Sequence, residues 1–331
     1  MPSMYRVLVT DVAWPDMEIE RAILREADAT LIVASQTNVE FLAEAAADCD
    51  AIMTNWAKVP EAVIAAATRC KIVSRLGVGL DNIDVEAATR RGILVTNVPD
   101  YCTVEVAEHA LALMLTLARK VAFYHCETKQ GSYDLQKGPS LKRIEGQTLG
   151  IVGLGGIGRK LAEKAAALGV NVLATGRTRK HPSELPVGVS WCDLNDLLTQ
   201  SDYISLHVPL TSETKHLIGA EQLARMKSSA YLINTARGGL IDHAALASAL
   251  NAGQLAGAAL DVQDTEPPDL SRPPYNDSRV VVTPHAAFVS VESLSNLRTR
   301  AARQVATCLQ GGLPEHLVNP NAMRHRSYSN Q

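Results

Sequence analysis

Two doubly wound parallel α/β sheets, in two domains, are the architecture this 331-residue sequence predicts. Three observations carry that expectation. A Gly-x-Gly-x-x-Gly run, Gly153-Leu154-Gly155-Gly156-Ile157-Gly158, lies near the middle of the chain rather than at its start. Strand-like and helix-like segments already alternate through the residues before it. After it the alternation resumes and yields six strands counted from residue 148, the number a full dinucleotide-binding sheet needs.

The elements follow from short apolar runs punctuated by amphipathic stretches. Residues 6–10 read as a strand and 18–27 as a helix. Residues 30–34 are again strand-like, 39–47 helical and 51–54 a short strand. A helix near 61–69 precedes strands at 71–74 and 93–96. Residues 103–122 form one long apolar helical run, suited to a crossover between two domains. Strands at 148–152, 171–174, 203–206, 231–234, 257–260 and 280–283 make up the second sheet, with a helix over 159–168 after the glycine run. A last helix over 293–310 is stopped by Gly311-Gly312. Residues 267–274 are a proline-rich loop, and the tail 323–331 is expected to fray.

The glycine run sits between a strand and a helix, which makes an otherwise weak motif specific. Gly153 permits the tight turn, Gly155 lets backbone approach a pyrophosphate, and Gly158 lets helix and strand pack closely. The phosphates would rest on the helix N-terminus. About 20 residues further on, an acid normally grips the adenosine ribose 2′-hydroxyl. Here the stretch is Thr175-Gly176-Arg177-Thr178-Arg179-Lys180, with no carboxylate. Arg177 and Arg179 offer forked donors to a 2′-phosphate, with Thr178 between them, so NADP(H) is expected in preference to NAD(H). A solvated basic turn would carry the same residues.

Charge is nearly balanced, 32 basic against 35 acidic residues, which gives no sign of a nucleic-acid or anionic-membrane partner. Six cysteines without Cys-x-x-Cys spacing read as reduced thiols in a cytoplasmic protein, not as a disulfide frame or a metal site. No basic, then apolar, leader pattern opens the chain, and no apolar stretch is long enough to span a bilayer.

Three ionisable residues follow carboxyl ends of strands, where open α/β sheets bind ligands. Arg237 comes after strand 231–234, Glu266 after 257–260 and His285 after 280–283. Histidine carries protons near neutral pH, and a carboxylate beside a histidine favours its charged form. Arginine keeps its proton, so it suits a permanent anion such as a substrate carboxylate. Singly, each could be an ordinary loop charge; together, beside a dinucleotide site, they suggest catalysis.

These segments resemble the D-isomer-specific 2-hydroxyacid dehydrogenase family through nearly the whole chain. The resemblance rests on 152–158, on 202–210 (Asp-Tyr-Ile-Ser-Leu-His-Val-Pro-Leu), on 233–238 (Ile-Asn-Thr-Ala-Arg-Gly), on Ala259-Leu260-Asp261-Val262 with Glu266-Pro267, and on Thr283-Pro284-His285-Ala286-Ala287. It implies a flavodoxin-like substrate domain, residues 1–101 and 291–331, and an inserted Rossmann cofactor domain, 102–290. Arg237 would bind the substrate carboxylate and polarise the carbonyl, and His285 would be the acid/base, paired with Glu266. Residues 76–84 match the family's carboxylate loop, whose Val78 and Gly79 amides would cradle the anion. Matching cofactor positions are Thr103, Gly156, Ile157, His207, Pro209, Thr214, Thr235 and Asp261, with Asp261 reaching the nicotinamide amide. His207 reads equally as a buried structural histidine.

The resemblance further implies a homodimer joined through the cofactor domains, and hydride transfer between NADP(H) and a small 2-oxo or 2-hydroxy acid, with no metal. The Thr-Gly-Arg stretch at 175–177 departs from members that carry an aspartate there, and looks like NADPH-using glyoxylate and hydroxypyruvate reductases. Trp56, in a loop that lines the family's pocket, either caps a small substrate or packs its domain; Tyr101 and Phe288 are further lining candidates. Residues 97–105 and 284–288 also look like the C-terminal-binding-protein branch, which leaves a dinucleotide-sensing, non-catalytic binding protein as the alternative.

Overall fold

A computed structural model describes residues 4–326. The chain divides into two compact units, Met1–Tyr101 with Ser290–Gln331, and Cys102–Val289.

The first unit begins β1 (Tyr5–Val9), α1 (Glu18–Glu26), β2 (Ala29–Val33), α2 (Val39–Ala46), β3 (Ala51–Thr54), α3 (Glu61–Ala66), β4 (Ile72–Arg75), α4 (Val85–Arg90) and β5 (Leu94–Thr96). Its five strands lie in the order β2-β1-β3-β4-β5, all parallel. That is the flavodoxin-like order. β3 is buried at every position, because helices cover both faces of a parallel sheet. The six-residue α4, started by the Asp84 side chain accepting from the Ala87 N–H, is too short to show in the periodicity of the sequence.

The second unit holds α5 (Thr103–Arg119), α6 (Val121–Lys129), β6 (Thr148–Val152), α7 (Gly156–Ala167), β7 (Asn171–Thr175), β8 (Val189–Trp191), α8 (Leu194–Gln200), β9 (Tyr203–Leu206), α9 (Ala220–Arg225), β10 (Tyr231–Asn234), α10 (His243–Asn251), β11 (Gly257–Leu260) and β12 (Val280–Val282). Its sheet has seven strands, not six, in the order β12-β11-β10-β9-β6-β7-β8. The addition is β8, a three-residue edge strand whose Trp191 pairs with Ala174. Strand order reverses at β6 and β9, which pair directly, and the glycine run leaves β6 at this switch point. The single helix expected over 103–122 is two helices. Lys120 adopts a left-handed φ of 55°, closes α5 and opens α6. No glycine or proline marks that break.

The chain returns to the first unit as α11 (Val291–Leu309), an amphipathic helix whose Leu297, Ala301, Val305 and Leu309 join the core with β1 and β3. The tail was expected to fray from 323, yet α12 (Ala322–Arg326) forms, anchored by a fully buried Ala322. Residues 327–331 of that expectation lie outside the described residues. Among the described residues no helix is long and apolar enough to cross a membrane.

Candidate active site

The glycine run has the geometry its spacing demands. Gly153 has φ 103°, and a Cβ there would fall 2.5 Å from the His207 carbonyl oxygen. A Cβ on Gly158 would fall 2.2 Å from the Gly153 oxygen and 3.1 Å from Ile151, so close helix–strand packing depends on its absence. Gly155, by contrast, faces open space, and as N-cap of α7 it supplies no side-chain cap to the first-turn amides of Gly156, Ile157 and Gly158. Open space above uncapped amides at a helix N-terminus fits a dinucleotide pyrophosphate. Thr103 lies beside that turn, 3.5 Å from where a Gly156 Cβ would be.

Further along the same edge, Thr235 Oγ1 and His207 Nδ1 are buried without a hydrogen-bond partner among the described residues. His207 shares a hydrogen bond with Ser205 through Nε2, at 2.8 Å, and burial holds its ring down at about 4, so it is neutral at pH 7. Pro209 and Thr214 close a turn in which the Thr214 hydroxyl donates to the Pro209 carbonyl at 2.7 Å. Past β7, Arg177, Thr178 and Arg179 are exposed. A Cβ on Gly176 would come within 3.3 Å of the Trp191 ring, so β8 walls this loop.

Glu266 and His285 meet: His285 Nδ1 is 2.7 Å from Glu266 Oε2. The Glu266 carboxyl is held below its usual range. Burial alone would raise it, but the His285 hydrogen bond and charge, the Gln263 N–H and the Arg237 charge together prevail. His285 has a left-handed φ of 52°, and its N–H donates to the Asp261 carbonyl at 2.8 Å. Asp261 itself is fully buried. Its Oδ1 accepts from the Thr283 hydroxyl (2.5 Å) and the Ala286 N–H (2.9 Å), and Oδ2 from the Ala287 N–H (2.9 Å). The aspartate therefore moulds the turn that presents His285. His109 on α5 adds a contact to the Thr283 hydroxyl at 3.1 Å; nothing in the sequence marks this helical histidine. Arg237, half-buried, follows β10 in a loop pinned by Asn234, whose Nδ2 donates to the Arg237 carbonyl at 2.8 Å.

In the first unit, the loop after β4 has its carbonyls tied back. Arg75 donates to the Leu76 and Gly79 carbonyls, Val98 N–H to Gly77, and Asn97 Nδ2 to Val78. The N–H groups of Gly77, Val78, Gly79 and Leu80 meet no acceptor among the described residues. Such a run of unengaged amides is suited to binding an anion. Trp56 is 49% exposed and so is not a core residue. One carboxylate, Asp11, shapes its loop by accepting from the N–H groups of Asn55 (3.1 Å), Trp56 (2.8 Å) and Ala57 (3.1 Å).

Residues 111–287 match the family model for the D-isomer specific 2-hydroxyacid dehydrogenase, NAD binding domain. A glyoxylate reductase of Korarchaeum cryptofilum is 40% identical over 283 residues, 84% of this chain and 85% of that protein. The chain belongs to the D-isomer-specific 2-hydroxyacid dehydrogenase family. A D-3-phosphoglycerate dehydrogenase of Methanocaldococcus jannaschii is also 40% identical, over 96% of this chain; the chain spans 60% of that protein's length. Among solved structures, a glyoxylate reductase from Paecilomyes thermophila superposes with TM-score 0.85 at 31% identity, covering 96% of this chain and 99% of that one. Membership in this family indicates a nicotinamide dinucleotide as cofactor.

Proposed function

We propose that this chain is a 2-oxoacid reductase and D-2-hydroxyacid dehydrogenase that uses NADP(H) in preference to NAD(H), with glyoxylate or hydroxypyruvate as substrate. The observation that carries the reading is the His285–Glu266 pair at 2.7 Å, seated at the carboxyl edge of a dinucleotide-type sheet. When bound, the cofactor supplies or takes up the hydride.

The chain's own residues do the rest. With Nδ1 engaged by Glu266, Nε2 of His285 is the nitrogen that hands a proton to the substrate oxygen in reduction and removes it in oxidation. Glu266, ionised and hydrogen-bonded, fixes the ring and balances the imidazolium charge. Arg237 binds the substrate carboxylate as a permanent cation and polarises the carbonyl. In the first unit, the substrate domain in this reading, the Val78 and Gly79 amides are donors for a carboxylate, and Trp56 is the pocket-lining residue. Gly153, Gly155, Gly156, Ile157 and Gly158 receive the pyrophosphate. Thr103, His207, Pro209, Thr214 and Thr235 are further cofactor contacts, Asp261 reaches the nicotinamide amide, and Arg177, Thr178 and Arg179 take the 2′-phosphate. A homodimer joined through the second unit belongs to the same reading, supported by α6, which buries none of its residues and leaves Val121 57% exposed. So does a cytoplasmic setting, supported by six free thiols.

The test is oxidation of NADPH and of NADH, assayed separately against glyoxylate, hydroxypyruvate, pyruvate and phenylpyruvate. Faster turnover with NADPH and one of the first two acids is expected. Equal or better use of NADH would make the 176–179 loop a solvated turn. Tight dinucleotide binding without turnover would turn the reading to a dinucleotide-sensing binding protein.

A further inference from the structure

We infer that Gln263 is the positioning residue that holds the His285–Glu266 pair in register, an inference that rests on the acid/base reading above. Gln263 is a polar residue left only 6% exposed. Burying a carboxamide costs free energy unless it is hydrogen-bonded, and this one is used. Its Nε2 donates to the Leu260 carbonyl at 3.2 Å and to the Thr283 carbonyl at 3.2 Å. Leu260 is the last residue of β11, and Thr283 directly follows β12. The two amide hydrogens therefore clamp the carboxyl ends of two adjacent strands.

Each end leads to one member of the pair. Thr283 lies two residues before His285, and its carbonyl also accepts the His285 N–H at 3.0 Å. On the other side, the backbone N–H of Gln263 donates to Glu266 Oε1 at 3.0 Å, which leaves Oε2 for His285. A third contact reaches the arginine loop. A Cβ on Gly238 would fall 2.1 Å from the Gln263 carbonyl oxygen, so the residue after Arg237 rests directly on the Gln263 backbone. One residue thus touches Glu266 itself, the turn that carries His285 and the neighbour of Arg237. An apolar side chain of equal length would fill the same space and supply neither donor. The two carbonyls would keep their backbone partners, Thr283 N–H for Leu260 and His285 N–H for Thr283, but the strand ends would lose the side-chain bridge that reinforces the Thr283–Leu260 bond.

Substitution isolates the side chain, because the backbone N–H to Glu266 is retained. Gln263→Met is close in size and has no donor. Its kcat is expected to fall roughly 10–100-fold, the scale set by a misalignment of about 1 Å at a reacting group. KM for the oxo acid and Kd for NADPH should stay within about 3-fold of wild type, since the donors to substrate and cofactor are untouched. Gln263→Glu places a carboxylate against two carbonyl oxygens at neutral pH, but regains one O–H donor when protonated. Its activity relative to wild type should therefore rise as pH falls, which a loss of folding would not produce. The NMR resonance of the His285 Nδ1 proton, assigned by its absence in His285→Ala, reports the pairing with Glu266 without any turnover. It should shift or broaden in Gln263→Met. Wild-type kcat together with an unshifted resonance in Gln263→Met would overturn the assignment. Should the wild type turn over none of the acids, the reductase reading fails, and the resonance alone still decides whether Gln263 holds the pair.

Discussion

Lowering the pH should destabilise this protein through one ring, His207. The unfolded chain protonates that histidine near its ordinary value of 6.5, whereas the folded chain withholds the proton until about 4, because burial penalises the charge. Across that window the unfolded state binds more protons, so stability falls as pH drops from 6.5 toward about 4 and is fully present above it. At ~1.4 kcal/mol per pH unit the gap corresponds to about 3 kcal/mol. Part of the residue reaches the surface even though Nδ1 is buried, and screening there reduces the expected loss to about 2 kcal/mol. Urea unfolding of wild type and His207→Gln between pH 7.5 and 4.5 measures it. Glutamine keeps a polar group for Ser205 and cannot take up the proton. Carboxylates that titrate in the same range contribute to both curves and cancel in the difference. The wild type should lose about 2 kcal/mol more than the variant on acidification. Parallel curves would refute the burial argument for this ring.

Two further outcomes follow from the site. His285→Ala should lower kcat by about 10²–10⁴-fold while leaving NADPH affinity, measured by fluorescence titration, nearly unchanged; unchanged turnover would remove the acid/base role. Gly158→Ala places a methyl group 2.2 Å from the Gly153 carbonyl oxygen, so the turn must shift at a cost of about 1–3 kcal/mol. The loss should appear both in the thermal midpoint and in weakened dinucleotide binding.

Much of this could be read from the residues because parallel strands buried on both faces leave short, dense apolar runs. The runs at 51–54, 203–206, 231–234 and 257–260 coincide with β3, β9, β10 and β11. The edge strand β8 escaped notice because only three residues pair and none is fully buried. The end of α5 at Lys120 is a backbone conformation adopted without glycine or proline, so composition could not announce it. In the site, Glu266 and His285 could be located by their distance from strand ends, and the structure brings them together. Gln263, His109 and Asp11 could not. Asp11 meets partners 44 to 46 residues away and His109 one 174 residues away, while Gln263 has local partners but bridges to Thr283, 20 residues on, only once β11 and β12 pair.

The Asp11 loop has an implication for how this scaffold changes its diet. Its curve is held through the main chain, with the amides of Asn55, Trp56 and Ala57 gripped by the Asp11 carboxylate just past β1 and the Asn55 and Ala57 carbonyls by the Asn82 side chain. Whatever side chain projects at 56 has no part in holding that curve. Under the pocket-lining role proposed for Trp56, substitutions at this one position enlarge or restrict the space above a substrate while the loop keeps its path. Reshaping the selectivity of the enzyme then becomes a matter of exchanging a single exposed tile, with the mortar beneath it left intact.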